Sequence, residues 1–171
     1  MPPIIPTLET ERLELIAPDE SHLEALMDFY GDAESMQHIR GGQTFDRSGT
    51  WYKLATQLGH WQLRGYGFWS VREKETGTIV GNAGLLYPAG NPALEIGWGL
   101  RRAWWRRGYA AEFGPAILDY AFHTVGADRV MAHITATNTA SLAVAQKLGM
   151  RLSPEDSTPE TAILYAYRPI K

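Results

Sequence analysis

The stretch from Leu94 to Tyr120 does most to limit what this chain can fold into. Leu94-Glu-Ile-Gly-Trp-Gly-Leu100 reads as a strand, and Arg101, Arg102, Arg106 and Arg107 crowd together just after it. Gly108 follows, and then Tyr109, Ala110, Phe113, Ala116, Ile117 and Tyr120 fall near helical spacing. The order is strand, basic turn, glycine, helix. A helix N-terminus carries unpaired N–H groups and the positive end of the helix dipole. Such an end binds phosphate, and a glycine there lets the ligand approach the backbone. Arginines add charge-assisted bonds to phosphate oxygens. The spacing is neither the dinucleotide G-x-G-x-x-G nor the P-loop pattern, so another phosphate ligand is expected. Two blander readings stand beside this one: a solvated basic loop, and a nucleic-acid patch with interleaved tryptophans.

On either side of this stretch the pattern alternates between strands and helices. Arg12 to Ile16 alternates as a strand. Asp19 or Ser21 can cap a helix over His22 to Tyr30, with Leu23, Leu26, Met27 and Tyr30 on its stripe. Gly31 to Gly49 reads as a loop, in which Gly41 and Gly42 suit a mobile lid. Asp46 or Ser48 starts a second helix, with Trp51, Leu54, Leu58 and Trp61 as its stripe, and Gly65 ends it. Phe68–Arg72, Thr78–Tyr87 and Ala93–Leu100 read as an antiparallel meander. The helix after Gly108 ends near Gly126, Arg129–Ala136 is a strand, Asn138 or Thr139 opens a short helix to Gly149, and Ala162–Arg168 closes the chain. This mixed order predicts one α+β domain over residues 1–171 with a central, mostly antiparallel sheet.

Composition narrows the function classes. No cysteine is present, which removes disulfides, thiolate metal sites and a cysteine nucleophile. The five histidines show no metal-ligand spacing, so no metal is expected. A formal charge of −3 argues against a general nucleic-acid binder, so the arginine turn stands out against an acidic background. No apolar run approaches the length of a membrane span, and Met-Pro-Pro-Ile-Ile-Pro does not resemble a signal peptide. No membrane association and a cytoplasmic location are expected.

Trp105-Arg-Arg-Gly-Tyr-Ala110 is similar to the [Q/R]-x-x-G-x-[G/A] pyrophosphate loop of the GCN5-related N-acetyltransferase (GNAT) superfamily, with Trp105 in place of the usual Gln or Arg. Asn138-Thr-Ala-Ser141 and Lys147-Leu-Gly149-Met150 resemble its later N-x-x-S…K-L-G-[FM] motif. Thr10-Glu-Arg12-Leu13 resembles the opening of the ribosomal-protein acetyltransferase branch. The resemblance implies a sheet that splays after its fourth strand, flanked by helices, with acetyl-CoA as co-substrate in the opening. It also implies that the backbone of Trp98, Gly99 and Leu100 pairs with pantetheine. Backbone amides from Trp105 through Arg106, Arg107, Gly108, Tyr109 and Ala110 would then hold the pyrophosphate. Arg106 and Arg107 would add charge, Arg101 and Arg102 would meet the 3′-phosphate or nothing, and Asn138 would reach the cofactor.

Read from the residues alone, Gly97 and Gly99 suggest a bulge or a close approach in their strand. Glu95 lies among apolar neighbours, and a general base and a structural hydrogen bond or ion pair are equally open for it. Asn138 reads as a helix cap and Ser141 as a first-turn polar residue. The resemblance implies more. Some relatives place a basic glutamate near position 95, and many carry, where Ala145 stands, a tyrosine that protonates the leaving thiolate. Without it, Ser141 becomes the candidate acid. The expected activity is direct acetyl transfer from acetyl-CoA to an amine, such as a protein N-terminus or a small amine, by a monomer or homodimer. The rival expectation is a non-catalytic CoA-binding or nucleic-acid-binding module.

Overall fold

The computed structural model describes residues 1–170. Eight strands form one sheet in the order β1-β2-β3-β4-β5-β6-β8-β7. They are β1 (Leu8–Glu9), β2 (Leu13–Ile16), β3 (Phe68–Glu73), β4 (Ile79–Leu86), β5 (Leu94–Leu100), β6 (Arg129–Thr135), β7 (Arg151–Leu152) and β8 (Thr161–Tyr167). The helices are α1 (Leu23–Tyr30), α2 (Ala33–Met36), α3 (Arg47–Arg64), α4 (Tyr109–Tyr120) and α5 (Thr139–Lys147). All neighbouring strands run antiparallel except β5 and β6. That parallel pair requires a crossover, and α4 supplies it.

The helix ends follow the chain's local chemistry. Asp46 accepts from the Gly49 N–H at 2.8 Å to start α3, and Gly65 closes it in the left-handed conformation. Asp19 forms a capping box with His22 before α1. The predicted stripes shift slightly. In α1, Phe29 is buried and Met27 only half-buried, because Phe29 lies against β5. In α3 the inner face is Thr50, Leu54, Gln57 and Trp61, while Trp51 turns outward and donates to Glu20 at 3.0 Å. Gln57 is inside because its amide donates to the Tyr30 hydroxyl, which also receives Asn82 at 2.8 Å. β1, β7, α2 and the π-turn Ala121–Val125 that extends α4 are additions to the sequence reading.

One sheet face packs on α4 and α5 through Trp69, Val71, Val80, Ile96, Phe113, Ile117 and Ala145. The other packs beneath α1 to α3 through Leu26, Phe29, Tyr30, Met36 and Leu54. Trp69 joins the layers, its ring 5.0 Å from Trp61 and 5.2 Å from Tyr120. Of the two readings of Gly97 and Gly99, the bulge is absent and the close approach is present. Register with β4 runs unbroken from Gly81↔Leu100 to Leu86↔Glu95, and the irregularity lies instead between Val71 and Arg72. These glycines make room for rings: a Cβ on Gly97 would lie 2.8 Å from Phe68, and one on Gly99 2.3 Å from Phe29.

Gly99→Ala should therefore destabilise the fold, since Phe29 is buried and must shift. Overpacking of this kind costs about 1–3 kcal/mol. Urea denaturation should show a lower midpoint; an unchanged midpoint would mean that the Phe29 contact does not set this position.

Candidate functional site

β5 and β6 pair at only two positions, Leu94↔Val130 and Glu95↔Met131, and then part. Beyond Glu95 the facing edge of β5 has no strand beside it. The opening is a cleft of about 630 Å³ lined by β5, β6, the arginine turn and the first turns of α4 and α5. Glu95, Trp98, Gly99, Leu100, the run from Trp105 to Ala110, Asn138 and Ser141 all border this one space. Because Leu8–Glu9 adds a first strand, the parting follows the fifth strand of the sheet rather than the fourth.

Strand alternation decides which backbone groups face the gap. The Arg101 N–H donates to Val80 on β4 at 2.8 Å. The Leu100 carbonyl faces the other way and accepts from the Trp105 indole at 2.7 Å. Stepping back two residues, the N–H and C=O of Trp98 also point into the gap. The Leu100 carbonyl is thus already occupied, and Trp98 offers the free pair of backbone groups. Trp105 holds the basic turn against the end of β5, which no motif spacing indicates.

Gly108 is the N-cap of α4, with φ 76° and no capping side chain, so the first N–H groups of the helix stay open. Arg106 also adopts a left-handed conformation, φ 61°. That geometry is disfavoured by roughly 1–2 kcal/mol for a residue with a Cβ. Arg106 is exposed and has no ion pair among the described residues. Arg107 approaches Glu73 at 3.4 Å. Arg101 and Arg102 do not serve the cleft as free cations. Arg101 pairs with Asp28 and stacks 4.6 Å over Trp104; Arg102 pairs with Asp32 at 3.1 Å and Glu34 at 2.6 Å. Arg101, Arg102, Asp28 and Asp32 line a more open groove of about 460 Å³ between α1 and the turn, with their charges matched.

The start of α4 is fixed from below by groups that motif reading passed over. Glu112 accepts from the Thr10 hydroxyl at 2.6 Å, the Arg12 N–H at 2.8 Å and the Arg12 Nε at 2.6 Å. Burial pushes the Glu112 carboxyl upward, but these donors outweigh it and hold it below the usual range. Arg12 also lies 4.5 Å over the Tyr109 ring. Thr10 and Arg12 thereby brace the glycine-capped helix across a hundred residues of sequence.

Further back along β5, Glu95 accepts from the Asn91 amide at 3.0 Å, and Ser35, His38 and His133 also line the cleft. Both readings of Glu95 thus meet in one geometry: a hydrogen-bonded carboxylate that also borders the cleft. Asn138 accepts from the Ser141 N–H at 3.2 Å, which makes it the N-cap of α5. Ala140, Ser141, Val144 and Lys147 turn to the cleft, whereas Ala145 is wholly buried in the core. The Arg40–Gly42 segment forms a 3-10 turn with left-handed φ at all three residues, and Thr135 donates to the neighbouring His38 carbonyl at 2.8 Å.

The cleft is polarised: Arg106 and Arg107 stand at the turn that ends β5, while Glu95 lies five residues back along the strand and Glu34 is neutralised by Arg102. It suits a long ligand with an anionic head and a reactive tail that meets a cationic or amine group. Arg106→Gly should relieve local strain and leave stability level or raised by about 0.5 kcal/mol. A loss of stability on thermal melting would show that the left-handed turn is held by contacts of the Arg106 side chain.

Comparison with known proteins gives a consistent picture. Residues 12–151 match the family model described as the acetyltransferase (GNAT) domain. Among curated proteins, the uncharacterized protein YkkB of Bacillus subtilis is 29% identical over 154 residues, covering 85% of this chain and 86% of that one. The crystal structure of the acetyltransferase from Agrobacterium tumefaciens superposes with a TM-score of 0.86 at 31% identity, covering 96% of each chain. RimL, the ribosomal L7/L12 α-N-protein acetyltransferase solved with coenzyme A, superposes with a TM-score of 0.79 at 20% identity, covering 95% of this chain and 98% of its own. The last similarity is one of fold.

Proposed function

This chain belongs to the GNAT acetyltransferase family and is an acyl-transferring enzyme, and from that premise we propose that it moves an acetyl group from acetyl-CoA directly to an acceptor amine. The observation that carries the reading is the meeting, in one cleft, of an unpaired β5 edge and an open helix N-terminus. An extended amide-bearing arm can add to a strand edge, and its phosphates can sit on the helix N–H groups. RimL, with the same fold, was solved with coenzyme A.

In this reading the amides of Gly108, Tyr109 and Ala110 bind pyrophosphate, and Arg106 and Arg107 add charge that salt weakens. Asn138, whose oxygen is taken by its own helix, presents its amide nitrogen to the cofactor arm. The Trp98 N–H polarises the thioester carbonyl, stabilising negative charge as the amine attacks. Glu95 takes the proton that the amine loses, directly or through water. The carbon–sulfur bond then breaks, and Ser141 donates a hydrogen bond to the departing thiolate, which water finally protonates. With no cysteine to carry the acetyl group, both substrates are bound together. The Glu95 carboxylate favours an amine that arrives as an ammonium, and the resemblance of Thr10-Glu-Arg12-Leu13 to the ribosomal-protein branch makes a protein N-terminus the first acceptor to try.

Gly108→Trp should abolish CoA binding by filling the space before α4, read by calorimetry on folded protein. Undiminished affinity would remove CoA from this end of the cleft. Glu95→Gln should lower kcat by about 10²–10⁴-fold with little change in the acetyl-CoA KM, the usual size of acid–base assistance. Ser141→Ala should lower it less, near or below the bottom of that range. If both variants kept full activity with the true acceptor, the two roles would be withdrawn and the cofactor site would stand. Thiol release from acetyl-CoA, screened over peptides of varied N-terminus and small amines, identifies that acceptor.

A further inference from the structure

Beneath the basic turn lies a carboxylate that the mechanism above does not use. Glu73, at the end of β3, is only 5% exposed. Its Oε1 accepts from the Tyr109 hydroxyl, and its Oε2 accepts from the Thr76 hydroxyl at 2.8 Å. Tyr109 is the first residue of α4, so the carboxylate is bonded to the opening turn of the helix. The Tyr109 hydrogen bond, with smaller help from Thr76, Trp104 and Arg107, holds the Glu73 carboxyl below its usual range despite burial. A negative charge is therefore fixed next to the turn that is to receive negative phosphates.

Arg107 stands between the two. Its Nη1 is 3.4 Å from the same Glu73 oxygen that already takes the Tyr109 hydroxyl. That separation exceeds the 2.7–2.9 Å of a strong charge-assisted bond. The Arg107 side chain is still 48% exposed, and its guanidinium lies 5.8 Å over the Trp104 ring. Glu73 thus has its needs met by neutral hydroxyls, while Arg107 leans on it weakly and borders the cleft.

We propose that Glu73 is a positioning residue that holds Arg107 beside the cleft in the free enzyme and gives it up to a phosphate of the incoming CoA. This rests on the reading that the cleft binds CoA. Glu73 does two opposed things. Through Tyr109 it fixes the start of α4, which favours binding. Through its charge it competes with phosphate for Arg107, which weakens binding and leaves the bound product easier to release. Thr76 and Tyr109 set the balance, because each donor they supply to Glu73 loosens its hold on Arg107.

The test separates charge from shape. In Glu73→Gln an amide oxygen still accepts from Tyr109, so the helix start is retained while the competition ends. CoA should then bind more tightly by roughly three- to fivefold, the size of a half-exposed ion pair. In the Arg107→Ala background the gain should shrink to the smaller, salt-screened relief of repulsion between Glu73 and the phosphates. Tyr109→Phe should act in the opposite sense, because Glu73 loses a donor and grips Arg107 more firmly while the start of α4 loses its bond; CoA then binds more weakly, and Arg107→Ala removes the first part of this loss and leaves the second. Calorimetric titration of CoA into the five proteins and wild type, each checked for a cooperative melt, gives every value. If Glu73→Gln fails to fold, the Tyr109→Phe pair decides alone. Unchanged or weaker binding in a folded Glu73→Gln, or effects as large without Arg107 as with it, would overturn the inference. A wild-type protein that binds no CoA would instead overturn the functional reading on which it stands.

Discussion

The structure turns on the parting of two parallel strands. β5 and β6 share a pair at Leu94 and another at Glu95, and no more. A sheet that loses its ladder in mid-strand exposes backbone groups that would otherwise be paired, a cost that persists only where something else meets them. Part of that demand is met from inside the chain, since the Trp105 indole caps the Leu100 carbonyl. The rest, at Trp98, is left to whatever fills the cleft. The glycines of β5 serve the opposite face: by accepting Phe29 and Phe68 against the backbone they let α1 and the sheet close tightly behind the gap. The strand is thus packed on one side and open at one edge.

Charge is arranged around that opening with the same economy. Of the four arginines in the turn, two are committed to Asp28, Asp32 and Glu34 and so tie the turn to α1 and α2. The other two remain for the cleft, one without an ion pair among the described residues and one lightly held by Glu73. The helix behind them is braced by Glu112 from Thr10 and Arg12, and by Glu73 through Tyr109. In the proposed reading a polyanion is bound and released, which calls for a fixed backbone and movable charge, and the two kinds of contact are separated here.

Much of this was legible in the sequence because it is local. Helix caps at Asp46 and Asn138, the left-handed stop at Gly65 and the glycine start of α4 follow from single residues and their neighbours. The residues singled out from Glu95 to Ser141 converge on one cleft. What escaped was long-range. Glu112 meets Thr10 and Arg12 a hundred residues away, and the sequence shows only an ordinary acidic residue in a first turn. Glu73 reads as part of a charged hairpin, since nothing local announces that Tyr109 will cover it. The glycines of β5 left a bulge and a close approach open, because absence of a side chain does not tell which of them takes the space; the structure shows rings in close approach. Ala145, which stands where many relatives carry a tyrosine, enters the core, and Ser141 and Val144 meet the cleft instead. The two-residue strands β1 and β7 are too short to carry a period.

The central claim is that CoA lies along the open edge of β5 with its phosphates on the start of α4. Amide hydrogen exchange, followed by mass spectrometry or NMR with and without CoA, reads that edge and that helix end residue by residue. The account predicts new protection at Trp98 and at Gly108, Tyr109 and Ala110, with the groove between Asp28 and Arg102 unchanged. Protection at that groove instead, with Trp98 and the start of α4 exchanging as before, would contradict it.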